Sequence, residues 1–389
     1  MDCGRAHTPG ADAGGCPMTR HRHGLLIGKF YPPHRGHHEA IRQAAGRCRR
    51  LTVLVMASAV ESIRLEDRVA WLCAEHVDDV EVRVLGVRCD APVDLGDRAV
   101  WTAQVATVQA ALRVGADDAG QVDLVVGGDP YVVELARWFD ATPLVLPRRE
   151  YSATAVRADL AGTWRLLAPA TRAGLVTRVV VVGGESTGTT SVARALAAHY
   201  AARGGEWSNT RWVPEYGRAY TELKWAQVRA SGEPVALTDV VWTTDDFDAV
   251  AAEQTRTEQV AARAGSPLLI CDTDAFATAI WERRYLGDAA RSDQPWIAVP
   301  ARAVYLVTDH VGAPWVDDGM REGDLDVRAR MTRWFTDTLT AAGQSWVLLP
   351  GSLEDKVRLA VRTVDPLLEL RTQFAAPLAG PGFPAGVAS

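Results

Sequence analysis

Short apolar runs rich in valine, leucine and isoleucine recur along the chain. Each is followed by a longer stretch whose apolar positions return at helical spacing. Runs at 24–27, 51–56, 80–85, 122–126 and 143–146 predict strands in the first half. Helices are expected between them at 37–48, 65–76, 100–114, 130–139 and 153–160. The stretch 163–177 contains Pro169 and reads as a linker or a last helix. The pattern then restarts with the apolar run 178–182. Further strands are predicted at 211–214, 268–271, 303–307 and 346–349. Helices are predicted at 190–202, 245–263, 275–285, 327–342 and 353–370. Strands that alternate with helices imply α/β architecture with parallel sheets, here in two successive units.

Composition narrows the picture further. A chain of 389 residues suits two or three domains of roughly 100–200 residues. With 48% hydrophobic and 23% charged residues it has the make-up of a globular protein. The net charge of −6 argues against a general nucleic-acid binder and leaves room for local phosphate pockets. The six cysteines are scattered without a paired spacing, so reduced thiols, no structural zinc and a cytoplasmic location are expected. No apolar run reaches the ~18 residues that span a membrane. Residues 1–22 have no apolar core and read as a disordered leader. Residues 372–389, rich in Gly and Pro from Ala375 onward, read as a disordered tail. The two units between them are placed at 23–172 and 177–371.

Two glycine-bearing segments sit where a strand hands over to a helix, the place where free N–H groups and the helix dipole hold phosphate. The first reads Gly28-Lys29-Phe30-Tyr31-Pro32-Pro33-His34-Arg35-Gly36-His37. His34 and His37 lie three apart at a helix start, so both can face one ligand. Imidazoles and backbone N–H groups can stabilise charge on a transferring phosphate without a covalent intermediate. Gly28 and Gly36 let the backbone approach the phosphates. Lys29 joins the two histidines as a catalytic candidate.

This decapeptide resembles the signature GxFxPxHxGH of the nucleotidyltransferases that take an adenylyl group from ATP. Their second signature, ISxTxxR, is matched by Tyr151-Ser152-Ala153-Thr154-Ala155-Val156-Arg157, with Tyr151 in place of isoleucine. The resemblance implies a Rossmann-like domain. It also implies that Ser152, Thr154 and Arg157 meet the β and γ phosphates of ATP, with Gly28, Phe30 and Gly36 in the same site. Asp129, in Gly127-Gly128-Asp129-Pro130-Tyr131, would bond the ribose. In nicotinamide-mononucleotide adenylyltransferases a tryptophan stacks on the nicotinamide ring. Trp101 is the first candidate for that role and Trp71 the second; core packing is the competing reading of both.

The second segment, Gly183-Gly184-Glu185-Ser186-Thr187-Gly188-Thr189-Thr190, has P-loop spacing directly after a strand. Its N–H groups would wrap a β-phosphate and the Thr190 hydroxyl would reach Mg²⁺. Thr189 occupies the position of the P-loop lysine. Residues 268–274, Leu-Leu-Ile-Cys-Asp-Thr-Asp, resemble a Walker B strand, with Asp272 as metal-shell carboxylate or base. Glu215, Tyr216 and Arg218 are candidates to bind a nucleoside. Arg321, Arg328 and Arg330 are candidates for a lid over ATP.

The order of these motifs resembles ribosylnicotinamide kinase domains, and an adenylyltransferase followed by such a kinase resembles the bifunctional NadR-type enzymes of bacteria. That resemblance spans about residues 24–370 and implies an NAD-salvage enzyme that uses Mg²⁺, with ATP as a substrate. The expected ligands are ATP, nicotinamide mononucleotide, ribosylnicotinamide and NAD. A homo-oligomer is allowed; no nucleic acid and no membrane is expected. Two other readings stay open: an adenylyltransferase with a degenerate P-loop domain, and a non-catalytic sensor of NAD and ATP.

Overall fold

The computed structural model describes residues 20–92, 94–115, 121–147, 151–230, 240–287, 290–291, 299–311 and 324–378. Five parallel strands form the first sheet: β1 (Gly24–Gly28), β2 (Leu51–Ala57), β3 (Val82–Arg88), β4 (Leu124–Gly127) and β5 (Thr142–Val145). Their order is β3-β2-β1-β4-β5. Helices α1 (Arg35–Ala45), α2 (Leu65–Glu75), α3 (Arg98–Gly115) and α4 (Tyr131–Phe139) carry the crossovers. A strand covered on both faces must be apolar throughout. In β1, Leu25 enters one core cluster with Leu54 and Val125, and Leu26 enters the other with Val53 and Val55. The strand order reverses beside β1, so a crevice opens past the carboxyl ends of β1 and β4.

The second sheet is also parallel, in the order β10-β9-β6-β8-β7. Its strands are β6 (Thr177–Gly183), β7 (Arg211–Val213), β8 (Leu268–Asp272), β9 (Val304–Thr308) and β10 (Trp346–Leu349). Around them lie α7 (Thr189–Ala201), α8 (Tyr216–Ala230), α9 (Thr244–Ala264), α10 (Ala275–Leu286), α11 (Leu325–Ala341) and α12 (Leu353–Arg371). All of β6 is buried, which explains its unbroken apolar run. The predicted two-sheet α/β fold is the observed one.

Four differences from the sequence reading have physical causes. Helix α1 starts two residues earlier than predicted, because the side chain of His34 caps it by accepting from the N–H of Gly36 (3.1 Å). Helix α8 was not expected: it has no buried residue and hence no apolar stripe to read. The segment 151–176 forms α5 (Ala153–Ala158), a 3₁₀ turn (Trp164–Leu166) and α6 (Pro169–Leu175). The sequence places this segment up to residue 172 in the first unit, yet Val156, Leu160, Trp164 and Leu167 pack into the core of the second sheet, and Trp164 Nε1 donates to the carbonyl of Gly265 (2.8 Å).

The fourth difference is the tail. Residues 372–378 lie against the first unit. Phe374 meets the Tyr31 ring edge-on at 5.9 Å, Tyr31 Oη donates to the carbonyl of Ala375 (3.0 Å), and Lys29 Nζ donates to that of Leu378 (2.8 Å). The remainder of the expected tail (379–389), and most of the expected leader (1–19), lie outside the described residues. Among the described residues Cys48, Cys73, Cys89 and Cys271 are free thiols, and no helix is long and apolar enough to cross a membrane.

Candidate active sites

The first site is built on the turn from β1 to α1. His34 is the N-cap of α1 and is buried. Its Nδ1 accepts from the Gly36 N–H, and the backbone N–H of His34 donates to His37 Nδ1 at 3.3 Å. These two bonds form a reciprocal cap and fix both tautomers: a neutral ring that accepts at Nδ1 carries its proton on Nε2. The rings lie 3.8 Å apart between centroids. His34 Nε2 is buried with no hydrogen-bond partner among the described residues. A buried N–H donor of this kind is free for an acceptor from outside the chain.

The glycine at 36 has a packing cause, since a Cβ there would sit 3.0 Å from the His34 ring. Phe30 is fully buried and packs on His37 with centroids at 4.9 Å. It props the histidine and is enclosed by the core, so its assignment to the ATP contacts is corrected to support of His37. Ser152 caps α5 by accepting from the N–H of Ala155 (3.2 Å). One turn on, Arg157 donates to the carbonyl of Tyr31 (2.6 Å) and to Thr154 Oγ1 (3.2 Å). The bond from Arg157 to Tyr31 brings the two signatures together in space, and burial, with the Arg157 charge adding to it, lowers the pKa values of Lys29, His34 and His37. Lys29 Nζ stands 3.3 Å from Glu61, which is also held by the buried Arg68 at 2.6 Å. Burial lowers the pKa of Lys29 and Glu61 opposes that shift. Asp129 lies in the turn between β4 and α4. Tyr131 Oη ties this turn to β1 by donating to the carbonyl of Ile27 (2.9 Å). Both turns thus face the crevice at the strand ends.

Burial, and then the Arg157 charge, pushes His34 down to about 4. The second buried pair, His38 with His76, is similar: burial first, then the neighbouring His76, takes His38 down to about 3. The unfolded chain takes up these protons near 6.5, so it binds more protons than the folded chain at mildly acidic pH. Stability should therefore fall as pH drops from about 6.5 towards 4, with no gain from these groups above 7. Histidine NMR titration checks this directly: a His34 midpoint near 6.5 in the folded protein would contradict the burial argument.

Both tryptophans considered for nicotinamide are engaged in packing. Trp101, on α3, is 6% exposed among Leu25, Leu54, Val105 and Val125, with Nε1 donating to the carbonyl of Leu95 (3.2 Å). Trp71, on α2, packs on α6 so closely that a Cβ on Gly174 would fall 2.2 Å from its ring. Both are corrected to packing residues. Trp101→Ala should therefore cost about 3–5 kcal/mol of folding stability, as core truncations of aromatics do. Folded molecules should keep their nucleotide affinity. Denaturant melts and ligand titration separate the two effects.

The second site is the loop between β6 and α7. Gly188, with φ of 90°, caps α7, and Ser186 also has positive φ (57°). This backbone turns successive N–H groups towards one hollow. Gly183 has no room for a side chain: a Cβ would lie 2.2 Å from Thr308 Oγ1. The hydroxyl of Thr187 points inward, donating to the carbonyl of Gly184 (2.7 Å) and pairing with Thr308 Oγ1 (2.6 Å). Ser186 Oγ is buried without a partner among the described residues. Thr190 Oγ1 donates to Asp272 Oδ2 at 2.6 Å, which joins the loop to the end of β8. Asp274, two residues on, caps α10 and is fixed by Arg302 (2.9 Å) and Tyr305 (2.8 Å).

Arg328 is corrected. It is 1% exposed and lies under the loop, with Nε donating to the carbonyl of Glu185 and Nη2 to that of Ser186, both at 3.0 Å. It holds the loop and is not a lid over it. Arg321 lies outside the described residues. Glu215 and Arg218 line the hollow with the loop residues from Gly183 to Thr190 other than Thr187. The backbone N–H of Tyr216 donates to Gln254 Oε1 (3.0 Å), and its ring packs 6.1 Å from Tyr220.

Sequence reasoning missed the aromatic wall of this hollow. Trp242, Phe247, Trp281 and Tyr285 line it. The Trp242 ring lies 5.1 Å from Phe247 and 5.3 Å from Tyr285. Burial pushes the Tyr285 hydroxyl up to about 12, so it stays a neutral donor. These residues come from two stretches about forty residues apart, 242–247 and 281–285, and no motif spacing links the stretches.

Comparison with known proteins agrees with this arrangement. Residues 178–356 match a family model described as an AAA domain. The chain is 22% identical over 327 residues, 78% of its length and 73% of the relative's, to the trifunctional NAD biosynthesis/regulator protein NadR of Escherichia coli (strain K12). A crystal structure of a NadR protein in complex with NAD and AMP-PNP superposes with a TM-score of 0.59 and 18% identity, covering 90% of this chain and 96% of that one. A NadR protein in complex with NR gives 0.58 and 19%, covering 90% and 97%. The chain therefore shares the fold of these NadR structures over most of its length.

Proposed function

We propose that the chain makes NAD in two steps, one in each unit. The observation that carries this reading is the meeting of two separated signatures around His34, whose buried Nε2–H has no partner among the described residues. In the first unit, a phosphate oxygen of nicotinamide mononucleotide attacks the α-phosphorus of ATP. The bond to the bridging oxygen breaks and pyrophosphate leaves. His34 and His37 donate to the oxygens that gain charge. Both rings stay neutral near pH 7, so they donate without losing protons. Arg157 and Lys29 draw the β and γ phosphates, and Ser152 and Thr154 orient the helix end that meets them.

In the second unit, the 5′-hydroxyl oxygen of ribosylnicotinamide attacks the γ-phosphorus of a second ATP, and ADP leaves. The loop N–H groups hold the phosphates. Glu215 and Arg218, which line the hollow, would hold the ribose. The aromatic wall of Trp242, Phe247, Trp281 and Tyr285 suits a pyridinium, because a cation is attracted to aromatic rings. The Thr190 hydroxyl and the Asp272 carboxylate form an oxygen pair that fits Mg²⁺, which takes one or two protein oxygens alongside phosphates and water. When bound, Mg²⁺ supplies charge neutralisation across the phosphates. Asp272 holds that shell or takes the proton of the attacking hydroxyl.

The test is incubation with ATP, Mg²⁺ and either ribosylnicotinamide or nicotinamide mononucleotide, with products resolved. NAD from the mononucleotide and mononucleotide from the riboside are expected. No product from either would overturn the reading. NAD from the mononucleotide alone would favour the single-activity reading, which Thr189 motivates.

A further inference from the structure

We propose that Lys356 supplies, from beneath the P-loop, the positive charge that Thr189 cannot. The proposal rests on the reading of this loop as a phosphate site. Lys356 lies on α12, more than a hundred and fifty residues from the loop, and is 3% exposed. Its Nζ donates to the carbonyl of Thr187 at 2.9 Å and to that of Asp309 at 3.0 Å. Arg328 donates to the carbonyls of Glu185 and Ser186 next to it. Three successive loop carbonyls are therefore held by cationic donors on one side.

This arrangement has two physical effects. A peptide carbonyl that points at a cation turns the N–H of its own peptide plane the opposite way. Carbonyls at 185, 186 and 187 held below thus aim the N–H groups of Ser186, Thr187 and Gly188 into the hollow. The buried charges also act on a phosphate through a medium of low dielectric, where their field is weakly screened. Burial lowers the pKa of Lys356 and the Asp309 carboxylate raises it. A buried ammonium is costly unless its bonds are made. Here two carbonyls accept from it, which offsets that cost and keeps a charge beneath the loop. Lys356 is a positioning residue in this account: it acts through the loop peptides and need not touch the nucleotide.

The test compares wild type with Lys356→Met, Lys356→Arg, Thr189→Lys and the double variant Lys356→Met/Thr189→Lys. All are made in a His34→Ala/Arg157→Ala background that disables the first site. ADP affinity is read by calorimetry and phosphorylation of ribosylnicotinamide by product analysis, with circular dichroism as the check on folding. Lys356→Met should weaken ADP binding about 10- to 100-fold, the range for losing a charged hydrogen-bond donor. Lys356→Arg should keep most of the affinity. Thr189→Lys should restore the Met variant to within a few-fold, while changing the otherwise unaltered loop by less than about threefold, since its charge is already present.

Three results overturn the proposal: equal ADP affinity with Met at 356, loss that Thr189→Lys does not restore, or a gain above tenfold from Thr189→Lys alone. The last needs no variant at 356, so it decides the matter even if Lys356→Met fails to fold. ADP binding without phosphorylation in wild type would count against the kinase reading only, and the affinities would still judge Lys356. No ADP binding at all would overturn both.

Discussion

Replacing His37 with alanine is expected to cut NAD formation from nicotinamide mononucleotide by about 10²–10³ while leaving phosphorylation of the riboside unchanged. Loss of one preorganised donor to a developing oxyanion has this size. The geometry suggests where the effect arises. His37 accepts from the His34 N–H and its ring lies 3.8 Å from that of His34. The substitution therefore removes one donor and loosens the seat of the other. Burial holds the pKa of His37 well below its ordinary value, with the His34 ring adding to the shift. Its contribution is thus that of a neutral N–H donor, and the rate should not track histidine protonation between pH 6 and 8. The second unit has its own core, so its activity is the internal control. Less than a tenfold loss would remove His37 from the reaction.

The second large effect is expected at Asp272. Asp272→Ala should lower phosphorylation of ribosylnicotinamide by about a hundredfold or more. Stabilising charge through a metal is worth several kcal/mol, and each 1.4 kcal/mol is about tenfold in rate. The carboxylate is 2% exposed at the end of β8 and accepts from Thr190 at 2.6 Å. Its removal leaves the Thr190 hydroxyl without that acceptor and takes a negative charge from beside the loop. Asp272→Asn keeps the shape and drops the charge. Equal loss in both variants would assign the effect to charge, whereas activity retained in Asp272→Asn would assign it to packing. Unchanged turnover in both would move the role to Glu215. Asp274 is a poor substitute, because Arg302, Tyr305 and the Ala277 N–H already hold its oxygens.

Local chemistry made much of this protein readable from its sequence. A strand buried on both faces must be apolar at every position, so β1, β2, β4, β6, β8 and β9 stand out as runs. A loop that bends backbone N–H groups inward needs glycines and hydroxyls at fixed offsets, so 28–37 and 183–190 stand out too. Those constraints act within a few residues and leave a pattern in the order of the chain. They were enough for the two-sheet α/β fold, for the two strand-to-helix turns at 28–37 and 183–190, and for the resemblance to NadR-type proteins.

What tertiary structure alone decided involves residues far apart in the chain. Trp101 and Trp71 look alike in sequence to any stacking tryptophan; only the packing around Leu54 and Gly174 shows that their faces are occupied. Arg328 reads as a surface arginine, and the fold puts its guanidinium under the P-loop. Helix α8 leaves no apolar stripe because it buries no side chain. The wall of Trp242, Phe247, Trp281 and Tyr285 forms when α9, with the residue Trp242 just ahead of it, meets α10 beside the loop. The ammonium of Lys356 reaches Thr187 across 169 residues of chain. In each case the deciding term is which groups a side chain meets after folding, and that depends on closing long loops, which leaves no local spacing to read.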